Sequence, residues 1–245
     1  MNRDKEKHWS GVLASAISDA CMANRETIPE PQGKSVLSAC GVDVPSSFTV
    51  SNDEPLELLA GKLKFPAVLK VVSDQIIHKS DVGGVVLGLN SPAELNAARD
   101  SMIANLSAQG YLAQHFLIEE MLPQGLEMVV GGFVDPEFGP MVMVGFGGVF
   151  IEINKDVSFG ICPIDRFDAL EMISELRGSA ILNGARGREP VNQDAIVQVL
   201  LAVGGDQGLL SQFASQISEI DINPLIVTSS HAYAADARFI LNKAE

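Results

Sequence analysis

The sequence is short of cations, cysteine and long apolar runs, and each shortage removes a class of function. Seventeen lysines and arginines stand against 31 acidic residues, for a net charge of −14. With no basic run to neutralise the phosphates of a duplex, nucleic acid is excluded as a partner. A nucleotide needs only a few local cations and stays open. Cysteine occurs three times, at Cys21, Cys40 and Cys162, widely separated and in no metal-binding spacing, which fits small core thiols in a reducing cytoplasm. No apolar stretch approaches the ~20 residues that cross a bilayer, so no membrane partner is expected. The first twenty residues, MNRDKEKHWSGVLASAISDA, carry early acids and an apolar centre broken by Asp19, a poor signal peptide. They read as a short helix with Leu13, Ala16, Ile17 and Ala20 on one face, available for docking on a partner.

What is present is ordered and globular: 47% of residues are hydrophobic and 20% charged, enough for one large domain or two lobes with cores of their own. The densest stretch is Phe65–Leu89, FPAVLKVVSDQIIHKSDVGGVVLGL. Two apolar runs, Ala67–Val72 and Val85–Leu89, flank a polar loop, the pattern of two strands. Lys70 interrupts the first run. An unpaired cation there would cost several kcal/mol, so Lys70 is expected to face a phosphate or carboxylate, unless its strand is an edge and it points to solvent. Gly83-Gly84 lets backbone amides approach an anion closely or simply lets the chain turn.

Residues 25–33, RETIPEPQG, read as a linker, followed by a helix through Val36, Leu37 and Cys40 that stops at Gly41. Gly33-Lys34-Ser35 is not a phosphate loop, because Ile28 stands where its first glycine is needed. Ser91-Pro92-Ala93-Glu94 opens a helix with Leu95, Ala98, Met102 and Leu106 on one side. Phe116–Glu120 and Gly125–Gly132 read as strands. Within the second, Glu127 is set among apolar neighbours as a partner for an interior lysine or a ligand for a nucleotide sugar. Asp135–Pro140 is a turn. The strands Met141–Val144 and Val149–Ile153 flank Gly145-Phe146-Gly147-Gly148, whose spacing fails the dinucleotide fingerprint because Phe150 replaces the third glycine. A helix over Asp168–Leu176 follows. The loop with Arg186 and Arg188 serves surface acids or grips an anion, and Asn192 caps a helix through Ile196, Val199, Leu200 and Val203.

In Ile217–Val227, alternation puts Glu219, Asp221 and Asn223 on one face and Ile220 and Ile222 on the core side, with Pro224 ending the regular ladder. Asp236 is expected on the adjacent antiparallel strand. Converging oxygen donors suit Mg²⁺, while a solvent-facing polar row explains the same pattern without a metal. Helices alternating with hairpins imply an α+β protein of two lobes.

Taken in order, Leu69-Lys70-Val71-Val72, Ile77–Val85 with His78, Asp135–Pro140, Gly147-Gly148-Val149 and Glu219–Leu225 resemble the ATP-grasp domain of the NDP-forming acyl-CoA synthetases, in particular the β subunit of ADP-forming acetyl-CoA synthetases. The resemblance covers residue 30 to the C-terminus. It implies an ATP-grasp fold of two α/β lobes with the nucleotide between them, over residues 25–245 with a lobe boundary near 115–125, and residues 1–24 as a helical N-terminal extension. By resemblance Lys70 holds ATP phosphates, Glu119, Glu120 and Met121 form the adenine-side hinge, and Glu127 reaches the ribose. Asn223 and Asp236 ligate Mg²⁺. His78 matches the histidine phosphorylated within this domain, and Asp221 the acid beside a phosphorylated histidine of the partner. Relatives of the succinyl-CoA synthetase type often carry a longer acid at Asp221.

The implied activity interconverts acyl-CoA, ADP and phosphate with a free acid, CoA and ATP. With only His8, His78, His115 and His231 and no CoA-binding domain, it calls for a CoA-binding α subunit carrying a phosphorylatable histidine. Two other readings compete: a non-catalytic ATP-binding regulatory subunit, which would bind ATP without forming a phosphoprotein, and an ATP-grasp carboxylate–amine ligase, which needs no histidine loop.

Overall fold

The computed structural model describes residues 3–59, 61–76, 79–148, 156–184 and 189–242. The chain divides into two compact units, one made of Met1–Val44 with Pro123–Glu245 and the other of Pro45–Leu122.

The first unit is a seven-stranded sheet with helices on one face. Its strands are β1 (Thr27–Ile28), β6 (Leu126–Asp135), β7 (Gly139–Phe146), β8 (Val157–Ile161), β9 (Ile217–Val227), β10 (Ala232–Ala234) and β11 (Arg238–Leu241). They run in the order β1-β11-β9-β6-β7-β8, with β10 also on β9, and every ladder is antiparallel. Inward residues Ile220, Ile222, Val130, Val142 and Val144 join the core with Val199, Leu200 and Val203 from the helix Gln193–Gly204. Asn192 caps that helix, its side-chain oxygen accepting from the Ala195 amide at 3.0 Å.

Three sequence expectations change here. Residues 25–33 are not a linker, because Thr27–Ile28 pairs with β11 and the helix α2 (Glu30–Ala39) begins immediately after. Pro31 in its first turn lacks an N–H that the turn would leave unsatisfied anyway, so proline content misled. The apolar face of α1 (Arg3–Met22) is covered by this chain itself: Trp9, Leu13, Ala16 and Ala20 are buried in the same core, with Trp9 edge-on to Phe213 at 5.6 Å. Pro224 does not end its strand. Met128 pairs with Leu225 and Val130 with Ile222, so Asn223 and Pro224 together oppose Val129 alone. The missing proline N–H is absorbed in this bulge, and the strand continues to Val227.

The second unit is a four-stranded antiparallel sheet, β2 (Ser47–Ser51), β5 (His115–Glu120), β3 (Ala67–Val72) and β4 (Val85–Leu89), in that order. Leu69, Val71, Phe116 and Ile118 form its core with Leu95, Met102 and Leu106 of α3 (Pro92–Ala108). The Ser91 hydroxyl accepts from the Glu94 amide at 3.2 Å, fixing the start of α3 as the sequence indicates.

Candidate functional site

In the second unit the buried lysine meets a buried carboxylate. Lys70 pairs with Leu117 and Val68 with Glu119 across β3 and β5, so Lys70 and Glu119 are diagonal neighbours on one face. Lys70 Nζ lies 2.8 Å from Glu119 Oε2, with side-chain exposures of 10% and 3%. The strand holding Lys70 is internal, which removes the edge-strand alternative. The partner the sequence offered for an interior lysine was Glu127. That residue is exposed and makes no ion pair among the described residues. Glu120 and Met121 do not join the pair. The Glu120 carboxylate accepts from the Ser46 amide at 3.2 Å, and the Met121 amide donates to the Pro66 carbonyl at 2.9 Å.

His78 lies outside the described residues, as do Val149–Ile153, Arg186 and Arg188. The turn that follows His78 is described. Gly83 donates to the Ser80 carbonyl at 3.2 Å and Gly84 to the Lys79 carbonyl at 2.7 Å, so both glycine amides serve the turn rather than an anion. Gly83 sits at φ +73, and a Cβ on Gly84 would press on Val71 at 2.7 Å. Asn105 on α3 and Gln109, which caps its C-terminal end, each donate to the Val82 carbonyl at 3.1 Å, which fixes the turn from outside.

In the first unit, Glu127 on β6 packs under the glycine pair 147–148. The Gly147 amide donates to the Glu127 carbonyl at 2.7 Å, and a Cβ on Gly147 would lie 2.9 Å from the Glu127 carbonyl carbon. Gly147→Ala should therefore destabilise the protein by about 1–3 kcal/mol, since main chain rather than a flexible side chain must give way. A thermal midpoint matching the parent would remove this close approach.

The acid row appears as the alternation indicates. Asp221 on β9 faces Gly131 on one neighbouring strand and Arg238 on the other. Burial pushes its carboxyl up to about 6, with Glu219 and Asp236 adding to the rise and Arg238 opposing it. Asp236 is not on a strand. Ala234 pairs with Leu225 and Arg238 with Asp221, so residues 235–237 form a link opposite Ile222, Asn223 and Pro224. The Ala235 amide donates to the Pro224 carbonyl at 3.0 Å, and the Asp236 carboxylate accepts from the Ala237 amide at 2.7 Å. The link and the bulge thus place Asp236 and the exposed Asn223 on opposite sides of one strand gap.

Among the described residues no group of three or more His, Cys, Asp or Glu is arranged to hold a metal. One carboxylate and one amide beside further acids instead suit a hard cation that draws its remaining ligands from water or a bound phosphate, the habit of Mg²⁺. Burial is the main cause of the rise at Asp221, and the negative charge of Glu219 and Asp236 that adds to it favours such a cation.

Sequence reasoning missed two features. Glu30 and Lys34 form a buried ion pair at 2.9 Å on α2, 3% exposed each. Their i,i+4 spacing is the signal, obscured because Glu30 falls within residues 25–33, which the sequence presents as a linker. Arg238 opposite Asp221 was also missed; it becomes visible only when the β9–β11 register is known. Burial holds the Cys40 and Cys162 thiols at about 12 and 11, so neither supplies a thiolate.

A family model described as an ATP-grasp domain matches residues 19–241. The β subunit of an ADP-forming acetate–CoA ligase I from Pyrococcus furiosus is 41% identical over 232 residues, 93% of this chain and 97% of that subunit. An ADP-forming acetate–CoA ligase I from Archaeoglobus fulgidus is 38% identical over 94% of this chain, which spans only 33% of that longer protein. Among solved structures, a dinucleotide-forming acetyl-coenzyme A synthetase 1 of Ca. Korarchaeum cryptofilum is 36% identical with a TM-score of 0.79, covering 93% of this chain and 99% of that one. It is described in complex with coenzyme A and Mg-AMPPCP, its phosphohistidine segment pointing towards the nucleotide binding site. With its helix-backed antiparallel sheets and these likenesses, the chain belongs to the ATP-grasp family, in the branch that includes the β subunits of ADP-forming acetate–CoA ligases.

Proposed function

We propose that this chain is the nucleotide-binding subunit of an ADP-forming acyl-CoA synthetase and works with a CoA-binding α subunit carrying a phosphorylatable histidine. The observation that carries this reading is the likeness to the Pyrococcus furiosus β subunit over 97% of that subunit's length. The same length is one third of the Archaeoglobus fulgidus ligase, in which the matching stretch is part of a longer polypeptide.

Phosphoryl transfer is mainly positioning and charge neutralisation. Lys70, oriented by Glu119, contacts the ATP phosphates; Glu119, Glu120 and Met121 border the adenine, and Glu127 reaches the ribose. His78 attacks the γ-phosphorus through a neutral ring nitrogen. A phosphorus–nitrogen bond forms as the phosphorus–oxygen bond to ADP breaks. Asn223 and Asp236 would hold Mg²⁺, which neutralises phosphate charge when bound. Asp221 orients the partner's histidine through one ring nitrogen, leaving the other neutral and nucleophilic, and stabilises the cation that develops as that nitrogen takes the phosphoryl group. Residues 25–245 act as the ATP-grasp domain, with residues 1–24 as an extension.

The experiment mixes the chain with its α subunit and follows ADP release. Release that depends on both an acid and CoA is expected, together with an acid-labile, base-stable phosphoprotein. His78→Ala should abolish both, and full activity in that variant removes His78 from the mechanism. ATP binding with no phosphoprotein in the wild-type pair would instead favour a regulatory subunit.

A further inference from the structure

The outward face of the first unit's sheet changes character from one side to the other. Through the ladder registers, Asp221 on β9 stands in one row with Gly131 on β6, Met143 on β7 and Phe159 on β8. Glu219 stands in the next row with Phe133, Met141 and Ile161. The β9 end of the face is acidic and the β8 end is apolar. Phe159 and Ile161 are 51% and 54% exposed, although the opposite face of the same sheet already supplies the core. Phe133 meets Phe159 edge-on at 6.2 Å, and the terminal methyl of Met143 lies over Gly131, where a Cβ would meet it at 3.1 Å. The apolar half is therefore packed together and continuous with the Asp221 row. Large side chains grouped on an open sheet face mark an interaction surface more often than chance exposure does.

We propose that this apolar half seats the α subunit, through a segment in which apolar side chains lie close to its histidine. The inference rests on the functional reading above and adds where the partner binds. Three strand spacings separate β9 from β8, about 14 Å, which four or five extended residues span. One short segment can thus rest on Phe159 and Ile161 while presenting an imidazole to Asp221. Charge favours this occupant over a second copy of the chain. Glu219, Asp221 and Asp236 crowd the acidic end, and another molecule of net charge −14 would be repelled there.

Affinity for the α subunit, measured by biolayer interferometry, tests the proposal. Phe159→Ser/Ile161→Ser should bind at least about 10-fold more weakly than the parent, the loss expected for two apolar anchors. Phe167→Ser, which removes a side chain 70% exposed at the start of the helix Arg166–Glu175, should bind as the parent does. Ile161→Thr keeps a β-branched residue in the strand and should show a smaller loss in the same direction. Unchanged thermal midpoints and AMPPCP binding identify the variants as folded. Equal affinity of all variants for the α subunit overturns the surface while leaving the functional reading intact. Failure of the parent to bind the α subunit overturns both. Self-association of the parent that the double variant loses, with α-subunit affinity unchanged, makes the occupant a second copy and also overturns the proposal.

Discussion

Lys70→Met is expected to cost about 3–5 kcal/mol of folding stability, far more than loss of a surface ion pair. The variant leaves the Glu119 carboxylate charged at 2% exposure beside Leu117 and Val68, with its 2.8 Å partner gone. Glu119→Leu should cost a similar amount for the mirror reason. The informative variant is the double one. Lys70→Met/Glu119→Leu removes both charges and fills the space with apolar atoms, so it should fall within about 1 kcal/mol of the parent, or above it, because replacing a whole buried pair is often neutral or stabilising. Urea unfolding of the four proteins at pH 7 gives the cycle. Single losses under about 1 kcal/mol would mean that water reaches the pair. If the pair serves nucleotide binding, the double variant should fold well and still fail to bind AMPPCP, separating the stability of the pair from its use.

The sequence reveals this fold unevenly, and the differences have physical causes. The alternation of Glu219, Asp221 and Asn223 against Ile220 and Ile222 is a local property of one strand, and the structure keeps it. The run Ala234–Phe239, following the acid row after a turn, puts Asp236 on an adjacent strand, yet Ala234 ends one strand and Arg238 begins the next. The break between them reflects the bulge in β9, which is a property of pairing and not of residues 234–238 alone. Lys70 could be given an anionic neighbour from burial cost, but its identity as Glu119 depends on the β3–β5 register. The second glycine pair illustrates the limit in another way. Gly147-Gly148 reads in sequence as the loop between two strands, and the described backbone shows close approach to the Glu127 main chain, a demand that leaves the same residue preference. The apolar half of the outward face was invisible because Phe159 and Ile161 alternate with Ser158 and Gly160 as any half-buried strand would. Only the layer order decides which face is core.

Asp221→Asn is expected to stabilise the protein at pH 8 while removing its phosphoryl transfer. The folded-state value of about 6 lies above the ordinary 3.8, because burial comes first among the causes and Glu219 and Asp236 add to it. Between those two values the folded protein keeps a proton that the unfolded chain has lost, so its stability declines as pH rises from about 4 to about 6 and stays lower above that. A rise of about two units corresponds to roughly 3 kcal/mol at most. The asparagine cannot ionise, so its advantage should be near zero at pH 4 and about 1–3 kcal/mol at pH 8, a figure in which the opposing pull of Arg238 is already included. Denaturant unfolding at both pH values, with EDTA and no nucleotide, isolates the carboxyl from any bound cation. A variant less stable than the parent at pH 8 would mean that attraction to Arg238 outweighs burial and repulsion together. The expected result has the opposite sense: an acid held on a central strand beside Glu219 and Asp236 at a cost in stability, which is how groups reserved for a site rather than for the fold are kept.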